Sequence, residues 1–321
     1  MRVVVMEDYQ RAVERLRCFA TAARHEIVVH AVRPTTVAER AAQIGDAEAL
    51  VLIRERTPVD AALLDLLPRL RLICQTGRGM PHLDLAACTE RGIVVCNGRG
   101  SPYAPAELTL ALILASSRGI VEDAVALRAG TWQTTVGFEL NGRTLGVVGY
   151  GAIGALVARY GHALGMHVLA WGREGSLSRA ESDGHEPEPD LEALFARSDV
   201  VSLQLKLAPE TRGIVAPRHL AAMKPDALLV NTARAGLIQA GALDAALALG
   251  RPGRAALDVF ADEPAIGDPI LRRPSVLATP HIGYVTWETY ESYFAEAFSQ
   301  LDAFAVGTPV GVANPEAITP R

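Results

Sequence analysis

Short apolar runs alternate with helix-length segments along almost the whole chain, and this alternation restricts the possible folds more than any other feature. The candidate strands fall into two series, residues 3–6, 26–30, 49–53, 70–75 and 93–96, then 144–148, 167–171, 200–205, 227–231, 254–257 and 276–278. Segments such as 85–91, 152–164, 191–197 and 242–249 read as helices between them. Continuous apolar strands separated by helices predict parallel sheets covered on both faces. We therefore expect an α/β protein with two doubly wound parallel-sheet domains.

A turn-rich stretch at residues 97–102 separates the two series of strands. It precedes a long apolar helical pattern over residues 105–129, and Pro105 is tolerated only in the first turn of that helix. After His281 the chain reads as one amphipathic helix over residues 287–305, which we expect to pack on the first domain. The predicted domains are therefore residues 1–99 with 285–321, and residues 100–284.

Composition excludes several classes of protein. Half of the 321 residues are hydrophobic (50%), which is enough for two buried cores, and the net charge is −5. Basic residues form no block and no apolar run is long enough to span a bilayer, so we expect neither a nucleic-acid nor a membrane partner. The four cysteines form no metal-ligand pattern, so we predict no metal site. They are typical of small core residues in a reducing cytoplasm.

A predicted strand runs directly into the motif Gly149-x-Gly151-x-x-Gly154, which opens a predicted helix. Gly149 allows a tight turn, Gly151 lets the backbone approach a pyrophosphate, and Gly154 lets the helix pack close to the strand. Free N–H groups at the start of the helix, including those of Ala152 and Ile153, favour an anion. A strand before the motif and a helix after it are the required context. Residues 100–284 are therefore predicted to bind a dinucleotide.

The residues after the second strand of this unit bear on the choice of cofactor. An acid there would hydrogen-bond the adenosine ribose and repel a 2′-phosphate, but Gly172 stands at that place with Arg173 beside it. Arg173 can pair with a phosphate, which favours NADP. Two alternatives stay open: Glu174 on the ribose, which would mean NAD, and Arg173 as a solvated loop residue.

Three polar residues lie at predicted strand ends in the second domain, Arg234, Glu263 and His281. Hydride transfer to a 2-oxo acid needs a cation for the carboxylate, an acid for the developing alkoxide, and a group that orients the acid. Each residue taken alone is more often structural or solvated. Together, at the carboxyl ends of strands, they predict this chemistry.

The order and spacing of the motifs resemble those of the D-isomer-specific 2-hydroxyacid dehydrogenases over nearly the whole chain. The matching segments are residues 77–79, 106–107, 149–154, 211–213, 231–236, 257–264 and 279–283. The resemblance implies a flavodoxin-like substrate domain and a Rossmann-like dinucleotide-binding domain. It also implies a homodimer built around the helix after Pro105.

The resemblance also implies a role for each matching residue. Arg234 would bind the substrate carboxylate and carbonyl, and His281, oriented by Glu263, would donate or accept the proton. Asp258 would hold the nicotinamide carboxamide. The N–H groups of Arg78 and Gly79 would complete the carboxylate site, which would lie in a cleft between the domains and close to exclude water. The remaining cofactor contacts implied by these motifs are Thr232, Ala233 and Gly283.

The chain departs from the family pattern at a few positions. Pro81 stands where an acid is common, and Gln204 and Lys206 stand where His and Pro are common. Lys206 is a second cation available to a 2′-phosphate, which supports NADP. Arg54 follows a first-domain strand and could bind a second polar group of the substrate, or could belong to a solvated loop with internal ion pairs.

Two classes of function follow. The first is a D-2-hydroxyacid dehydrogenase, such as a glyoxylate or hydroxypyruvate reductase, that transfers a hydride between NAD(P)H and a small 2-oxo acid. The alternative is a nucleotide-sensing binding protein, such as a corepressor, that keeps the fold without catalysis. Arg234, Glu263 and His281 favour the enzyme, because a binding protein has no need of all three.

Overall fold

The computed structural model describes residues 1–318, and it divides into two compact units, Met1–Ser101 with Val285–Arg321, and Pro102–Tyr284. The predicted division between residues 99 and 100 lies two residues before this one. Residues 319–321 of the predicted first domain lie outside the described residues.

The first unit contains a five-stranded parallel sheet in the order β2-β1-β3-β4-β5. The strands are β1 (Arg2–Met6), β2 (Glu26–Val29), β3 (Ala49–Leu52), β4 (Leu72–Gln75) and β5 (Val94–Asn97). Three helices lie between them, α1 (Val37–Ile44), α2 (Ala61–Leu64) and α3 (Leu85–Glu90). Leu50 and Ile73 of the sheet share one buried core with Leu63 and Cys88 of the helices. This strand order is the flavodoxin-like one.

The second unit contains a seven-stranded parallel sheet in the order β12-β11-β10-β9-β6-β7-β8. Its elements are α4 (Tyr103–Arg118), α5 (Ile120–Arg128), β6 (Thr144–Val148), α6 (Ala152–Ala163), β7 (His167–Trp171), α7 (Glu174–Ser182), β8 (Glu186–Pro187), α8 (Leu191–Arg197), β9 (Val200–Leu203), α9 (Pro217–Ala222), β10 (Leu228–Asn231), α10 (Ala242–Ala248), β11 (Arg254–Leu257) and β12 (Val276–Ala278). The order reverses between β6 and β9, as in Rossmann-like sheets, and ligands bind at the carboxyl ends beside such a point. The predicted α/β class with two parallel sheets is confirmed.

Alternate residues of each strand in the second sheet belong to different cores. Leu169 and Leu229 lie in a core with the helices on one face, and Val168 and Val230 lie in a core with those on the other. Both faces of the sheet are therefore covered, which explains why its strands read as continuous apolar runs.

The chain then returns to the first unit with α11 (Trp287–Ala305), whose N-terminus is capped by Thr286. Glu291 of this helix accepts hydrogen bonds from the N–H groups of Arg17 (2.9 Å) and Cys18 (2.6 Å). Phe294 and Phe298 are buried beside them. The remaining helical turns are short 3₁₀ segments, Val13–Arg15, Arg17–Ala22, Pro209–Thr211, Ala235–Leu237, Pro269–Arg272 and Pro315–Ala317.

One predicted helix is wrong in extent. The pattern over residues 105–129 forms two helices, α4 and α5, which begin at Tyr103 and break at Gly119. Gly119 has φ 60°, a left-handed conformation that glycine adopts without the usual steric penalty. A Cβ at this position would overlap the side chain of Thr135, so the loop after α5 also requires the glycine.

Candidate active site

Two of the three glycines in residues 149–154, the phosphate loop, stand where there is no room for a side chain. Gly149 has φ 104°, and a Cβ on it would lie 2.8 Å from the carbonyl oxygen of Gln204. A Cβ on Gly154 would overlap the carbonyl oxygen of Gly149, because α6 packs directly on the end of β6. Gly151 precedes α6, and a Cβ on it would meet no atom within 4 Å. The open side of the loop is therefore the side of Gly151.

The first turn of α6 supplies the donors for an anion at this open side. Gly151 is the N-cap residue and has no side chain to satisfy the free N–H groups of the helix. The N–H groups of Ala152 and Ile153 follow, and Ala152 is exposed. Unsatisfied N–H groups and the dipole of this 12-residue helix fit the pyrophosphate of a dinucleotide.

The end of β7 places Gly172, Arg173 and Glu174 in sequence before and at the start of α7. Arg173 is the N-cap residue of α7, and Glu174 is its first residue. The Arg173 guanidinium is 86% exposed and lies 3.4 Å from the Glu210 carboxylate. The cation predicted for a 2′-phosphate is therefore exposed, and it has an acidic neighbour that the sequence did not reveal.

The loops after β9 and β10 hold the other predicted cofactor residues of this edge. Lys206 is exposed, and its carbonyl oxygen accepts a hydrogen bond from the Thr211 hydroxyl at 2.7 Å. The Thr232 hydroxyl lies 2.7 Å from that of Thr109 and accepts a hydrogen bond from the Gln204 amide at 3.1 Å. These bonds tie α4 to the loops after β9 and β10.

His281 and Glu263, two of the predicted catalytic residues, are in direct contact. Nδ1 of His281 lies 2.6 Å from Oε2 of Glu263, and the other carboxylate oxygen accepts a hydrogen bond from the N–H of Phe260 at 3.0 Å. Burial alone would raise the pKa of Glu263, but the hydrogen bond and charge of His281 and the charge of Arg234 outweigh it and lower the pKa. Glu263 is therefore an ionised partner for the imidazole at neutral pH.

Asp258 holds the loop that carries His281. Its fully buried carboxylate accepts hydrogen bonds from the Thr279 hydroxyl (2.7 Å) and from the N–H groups of Ile282 (2.8 Å) and Gly283 (2.9 Å). Burial raises the pKa of Asp258, although these hydrogen bonds and the charge of His281 oppose the shift. His281 itself has φ 50°, an uncommon conformation for a residue other than glycine.

Arg234 follows β10 at the same edge of the sheet. One of its guanidinium nitrogens donates to the carbonyl oxygen of Ala233 at 2.7 Å, and its own carbonyl oxygen accepts from the Asn231 amide at 3.0 Å. The N–H of Ala233 donates to the Asn231 side chain at 3.1 Å. Asn231 therefore fixes the backbone turn that presents Arg234.

Three adjacent strands explain why these residues share one edge. Arg234 follows β10, Glu263 follows β11, and His281 follows β12, and these strands are neighbours in the sheet. Because the strands are parallel, their carboxyl ends lie on one edge, beside the phosphate loop that follows β6. Cation, carboxylate and imidazole thus occupy the edge where such sheets bind ligands.

The predicted substrate residues of the first unit follow β3 and β4. Arg54 has φ 54°, and a Cβ on Gly77 would overlap its guanidinium. The Arg54 guanidinium also lies 3.8 Å from the Glu55 carboxylate, with 17% and 18% of these side chains exposed. Arg78 is exposed, and a Cβ on Gly79 would lie 2.5 Å from Glu55. A partly buried cation therefore packs against the loop of residues 77–79.

A groove of about 650 Å³ lies on the second unit, on the face of the sheet covered by α8 and α9. Its lining residues are Trp171, Pro189, Asp190, Leu191, Glu192, Ile214, Arg218 and His219. The groove begins at Trp171, next to Gly172, and includes none of Arg234, Glu263 and His281. It is therefore a neighbour of the predicted adenosine end of the site and not of the reacting atoms.

No helix within residues 1–318 is both long enough and apolar enough to cross a membrane. The same residues contain no group of three or more His, Cys, Asp or Glu side chains arranged to hold a metal ion.

Comparisons with known proteins agree with this fold. Residues 110–283 match the family model described as D-isomer specific 2-hydroxyacid dehydrogenase, NAD binding domain. A glyoxylate reductase from Thermococcus litoralis is 35% identical over 289 residues, which cover 86% of each protein. A D-3-phosphoglycerate dehydrogenase from Mycobacterium leprae is 40% identical over 253 residues, 78% of this chain and 48% of that protein. The crystal structure of a phosphoglycerate oxidoreductase from Vibrio cholerae has a TM-score of 0.93 and 43% identity, over 95% of this chain and 99% of that one.

Fold and site together define a two-domain α/β protein with a dinucleotide site, and the chain belongs to the D-isomer specific 2-hydroxyacid dehydrogenase family. This confirms the resemblance found in the sequence. The matched NAD binding domain supports a nicotinamide dinucleotide as the cofactor. The chain spans about half the length (48%) of the phosphoglycerate dehydrogenases it matches.

Proposed function

We propose that the protein transfers a hydride between a nicotinamide cofactor and a small 2-oxo or D-2-hydroxy acid. The contact of 2.6 Å between His281 and Glu263 is the single observation that carries this proposal. When bound, the cofactor supplies or accepts the hydride, with its pyrophosphate held by the N–H groups of Gly151, Ala152 and Ile153. In reduction, Nε2 of His281 donates a proton to the ketone oxygen as negative charge develops there. Glu263 stabilises the protonated imidazole before transfer.

Arg234 binds the substrate carboxylate in this proposal. Its planar guanidinium matches a carboxylate with two parallel hydrogen bonds, which orients the carbonyl carbon for attack. Its positive charge also polarises the ketone. In the first unit, the N–H groups of Arg78 and Gly79 are the additional carboxylate donors that we propose from the sequence.

Arg54 indicates the kind of group that the substrate carries at the end away from its carboxylate. Its guanidinium is largely buried beside Gly77 in the loop proposed to bind the carboxylate. A buried guanidinium is a strong partner for an anionic or hydroxyl group at the far end of a small acid. Glyoxylate, hydroxypyruvate and 3-phosphohydroxypyruvate are the substrates to compare, since the similar proteins include a glyoxylate reductase and phosphoglycerate dehydrogenases.

NADP is the proposed cofactor, with NAD as the alternative. Gly172 leaves no acid at the end of β7, while Arg173 and Lys206 are exposed cations at the same edge. Glu210, 3.4 Å from Arg173, partly offsets this charge, and a 2′-phosphate would have to displace it. We expect Arg173→Ala to raise the KM for NADPH about tenfold and to leave the KM for NADH within about twofold.

The first experiment measures oxidation of NADPH and NADH in parallel with glyoxylate, hydroxypyruvate, pyruvate, 2-oxobutyrate and 3-phosphohydroxypyruvate. Turnover that His281→Asn abolishes supports the proposed reaction. Faster oxidation of NADH than of NADPH would overturn the NADP assignment and leave the reaction standing. Binding of a cofactor without turnover of any of these acids would support the alternative, a nucleotide-sensing binding protein.

A homodimer is the proposed assembly. No residue of α5 is buried, and Ile120, Val125 and Leu127 are 53–58% exposed. Trp132 (74%) and Val136 (91%) extend this apolar surface into the following loop. An exposed apolar patch of this kind is typical of a protein interface. We expect Val125→Glu to produce monomers in light scattering, and Leu249→Glu, at an 85% exposed position elsewhere, to leave the dimer intact.

The cysteines indicate the cellular compartment in which we propose that the protein works. Cys18, Cys74, Cys88 and Cys96 are all buried and unpaired. Four free thiols support the predicted reducing, cytoplasmic environment, where disulfides are rare.

A further inference from the structure

Tyr150 lies in the phosphate loop between Gly149 and Gly151, yet its side chain belongs to the protein interior. It is 2% exposed and shares a core with residues of β6, β7 and α6. A residue at this place could instead face the cofactor or the solvent. The burial therefore indicates that the Tyr150 side chain anchors the backbone of the loop to the protein core.

Two hydrogen bonds join Tyr150 to the C-terminal end of α7. Its hydroxyl donates to Oδ2 of Asp183, the C-cap residue of this helix, at 2.6 Å. Its carbonyl oxygen accepts from the guanidinium of Arg179 at 3.0 Å. Burial and the hydrogen bond to Asp183 raise the pKa of Tyr150, so the hydroxyl remains a donor across the neutral range. One residue of the loop is thus bonded to α7 through both its side chain and its backbone.

The segment that leads into the other end of α7 also lies close to Tyr150. A Cβ on Gly172 would lie 3.8 Å from the backbone nitrogen of Tyr150 and 3.1 Å from Cβ of Ser176. Arg173, the N-cap residue of α7, follows directly. The guanidinium of Arg179 donates to Ser176 at 3.1 Å as well as to Tyr150. Tyr150 therefore lies beside Gly172, just before α7, and is hydrogen-bonded to Arg179 and Asp183 near the end of α7.

We propose that Tyr150 is a positioning residue that fixes the phosphate loop relative to the N-terminal end of α7, and so sets the preference for a cofactor that carries a 2′-phosphate. Such a cofactor would place its pyrophosphate on the loop and its 2′-phosphate beside Arg173. Both anions belong to one molecule, so a fixed spacing lowers the cost of ordering both contacts. A cofactor without the 2′-phosphate lacks the second anionic contact, at Arg173, and so depends less on this spacing. The inference rests on the proposed NADP assignment.

The experiment measures NADP⁺ and NAD⁺ binding to the full chain by calorimetry. Tyr150→Phe removes only the hydroxyl, and Asp183→Ala removes the same hydrogen bond from an exposed position. We expect each to weaken NADP⁺ binding roughly fivefold and NAD⁺ binding less than about twofold. Asp183→Asn keeps an acceptor oxygen and should bind NADP⁺ like the wild type. The double variant Tyr150→Phe with Asp183→Ala should lose no more than either single variant.

Tyr160→Phe is the matched control, because Tyr160 lies in the adjoining helix α6 and its hydroxyl makes no hydrogen bond within residues 1–318. A merely structural role for Tyr150 would weaken both cofactors equally, and that result, or no change in either, overturns the inference. A wild type that prefers NAD⁺ also overturns it, while leaving the proposed hydride transfer in place. A chain that binds neither cofactor overturns both proposals.

Discussion

Nδ1 of His281 lies 2.6 Å from Oε2 of Glu263, so Nδ1 is the ring nitrogen that faces the carboxylate. In the proposed reaction, Nδ1 donates its proton to this carboxylate and Nε2 exchanges a proton with the substrate. We expect Glu263→Gln to lower kcat about 100-fold and His281→Asn about 1000-fold. Steady-state kinetics gives these values, and calorimetry gives the cofactor Kd. An equal loss of cofactor affinity in both variants would show that the pair holds the cofactor site instead.

Asp258 acts on His281 through the backbone on its C-terminal side. Two of its three hydrogen bonds come from the N–H groups of Ile282 and Gly283, and His281 has φ 50°. We expect Asp258→Asn to cost about 1–3 kcal/mol in the free energy of unfolding, because its amide would place a donor opposite a buried N–H. Thr279→Val removes only the hydroxyl bond of 2.7 Å and should cost less. Urea denaturation measures both, and the reverse order would contradict this account.

The strand ends that carry the site could be predicted from sequence because buried parallel strands leave a simple pattern. The predicted bounds of β6, β7, β11 and β12 agree with the structure, and each strand is followed by residues of the candidate site. Burial on both faces makes most residues of such a strand apolar, so the strand is visible without an alternating pattern. This is why Arg234, Glu263 and His281 could be assigned to one edge of one sheet.

The break between α4 and α5 and the contacts of Tyr150 depend on tertiary structure, so the sequence pattern did not predict them. The helical pattern continues on both sides of Gly119, and a single glycine costs a helix only about 1 kcal/mol. The left-handed turn there accompanies a loop that brings Thr135 against Gly119. The role inferred for Tyr150 depends likewise on partners 29 and 33 residues away, Arg179 in α7 and Asp183 at its C-cap.

Alanine substitutions at two glycines of the phosphate loop should have different effects, one on stability and the other on cofactor binding. Gly154→Ala places a methyl group against the carbonyl oxygen of Gly149, so we expect the free energy of unfolding to fall by about 1–3 kcal/mol. Gly151→Ala meets no atom within 4 Å and should leave stability within about 0.5 kcal/mol. It should nevertheless weaken cofactor binding more than about tenfold, because the methyl group occupies the space where the pyrophosphate approaches. Denaturation and calorimetry on both variants test this, and tight binding by Gly151→Ala would contradict the proposed cofactor position.

The cysteines should be unreactive in the folded protein. Burial raises the pKa of Cys88 and of Cys96 to about 11, and burial with the nearby Glu291 raises that of Cys18 to about 12. The thiolate is the reactive form, and it is scarce at pH 8 when the pKa lies this high. A chromogenic disulfide reagent at pH 8 should titrate almost no thiol before denaturation and four afterwards. Rapid reaction of one thiol in the native protein would show that its segment opens.

Asp199 gives the clearest pH dependence of stability, at the amino end of the second sheet. It accepts hydrogen bonds of 2.8 Å from both the Thr144 N–H and the Lys224 ammonium. Burial alone would raise the pKa of Asp199, but these bonds and the charges of Lys224 and Arg143 outweigh it and lower the pKa. The stabilisation is therefore complete above the unfolded pKa of about 4 and is lost as the pH falls through the lower folded value.

We expect Asp199→Asn to lower the free energy of unfolding by about 1–3 kcal/mol at pH 7, with the difference from the wild type shrinking as the pH falls below about 4. Asp226→Asn is the matched control, because Asp226 lies 3.6 Å from the same Arg143 but is 69% exposed. An exposed pair contributes about 0–1 kcal/mol, so this variant should change little at any pH. Urea denaturation at several pH values gives both curves. A loss in Asp199→Asn that stays constant down to the lowest pH would show that shape, and not charge, makes Asp199 necessary there.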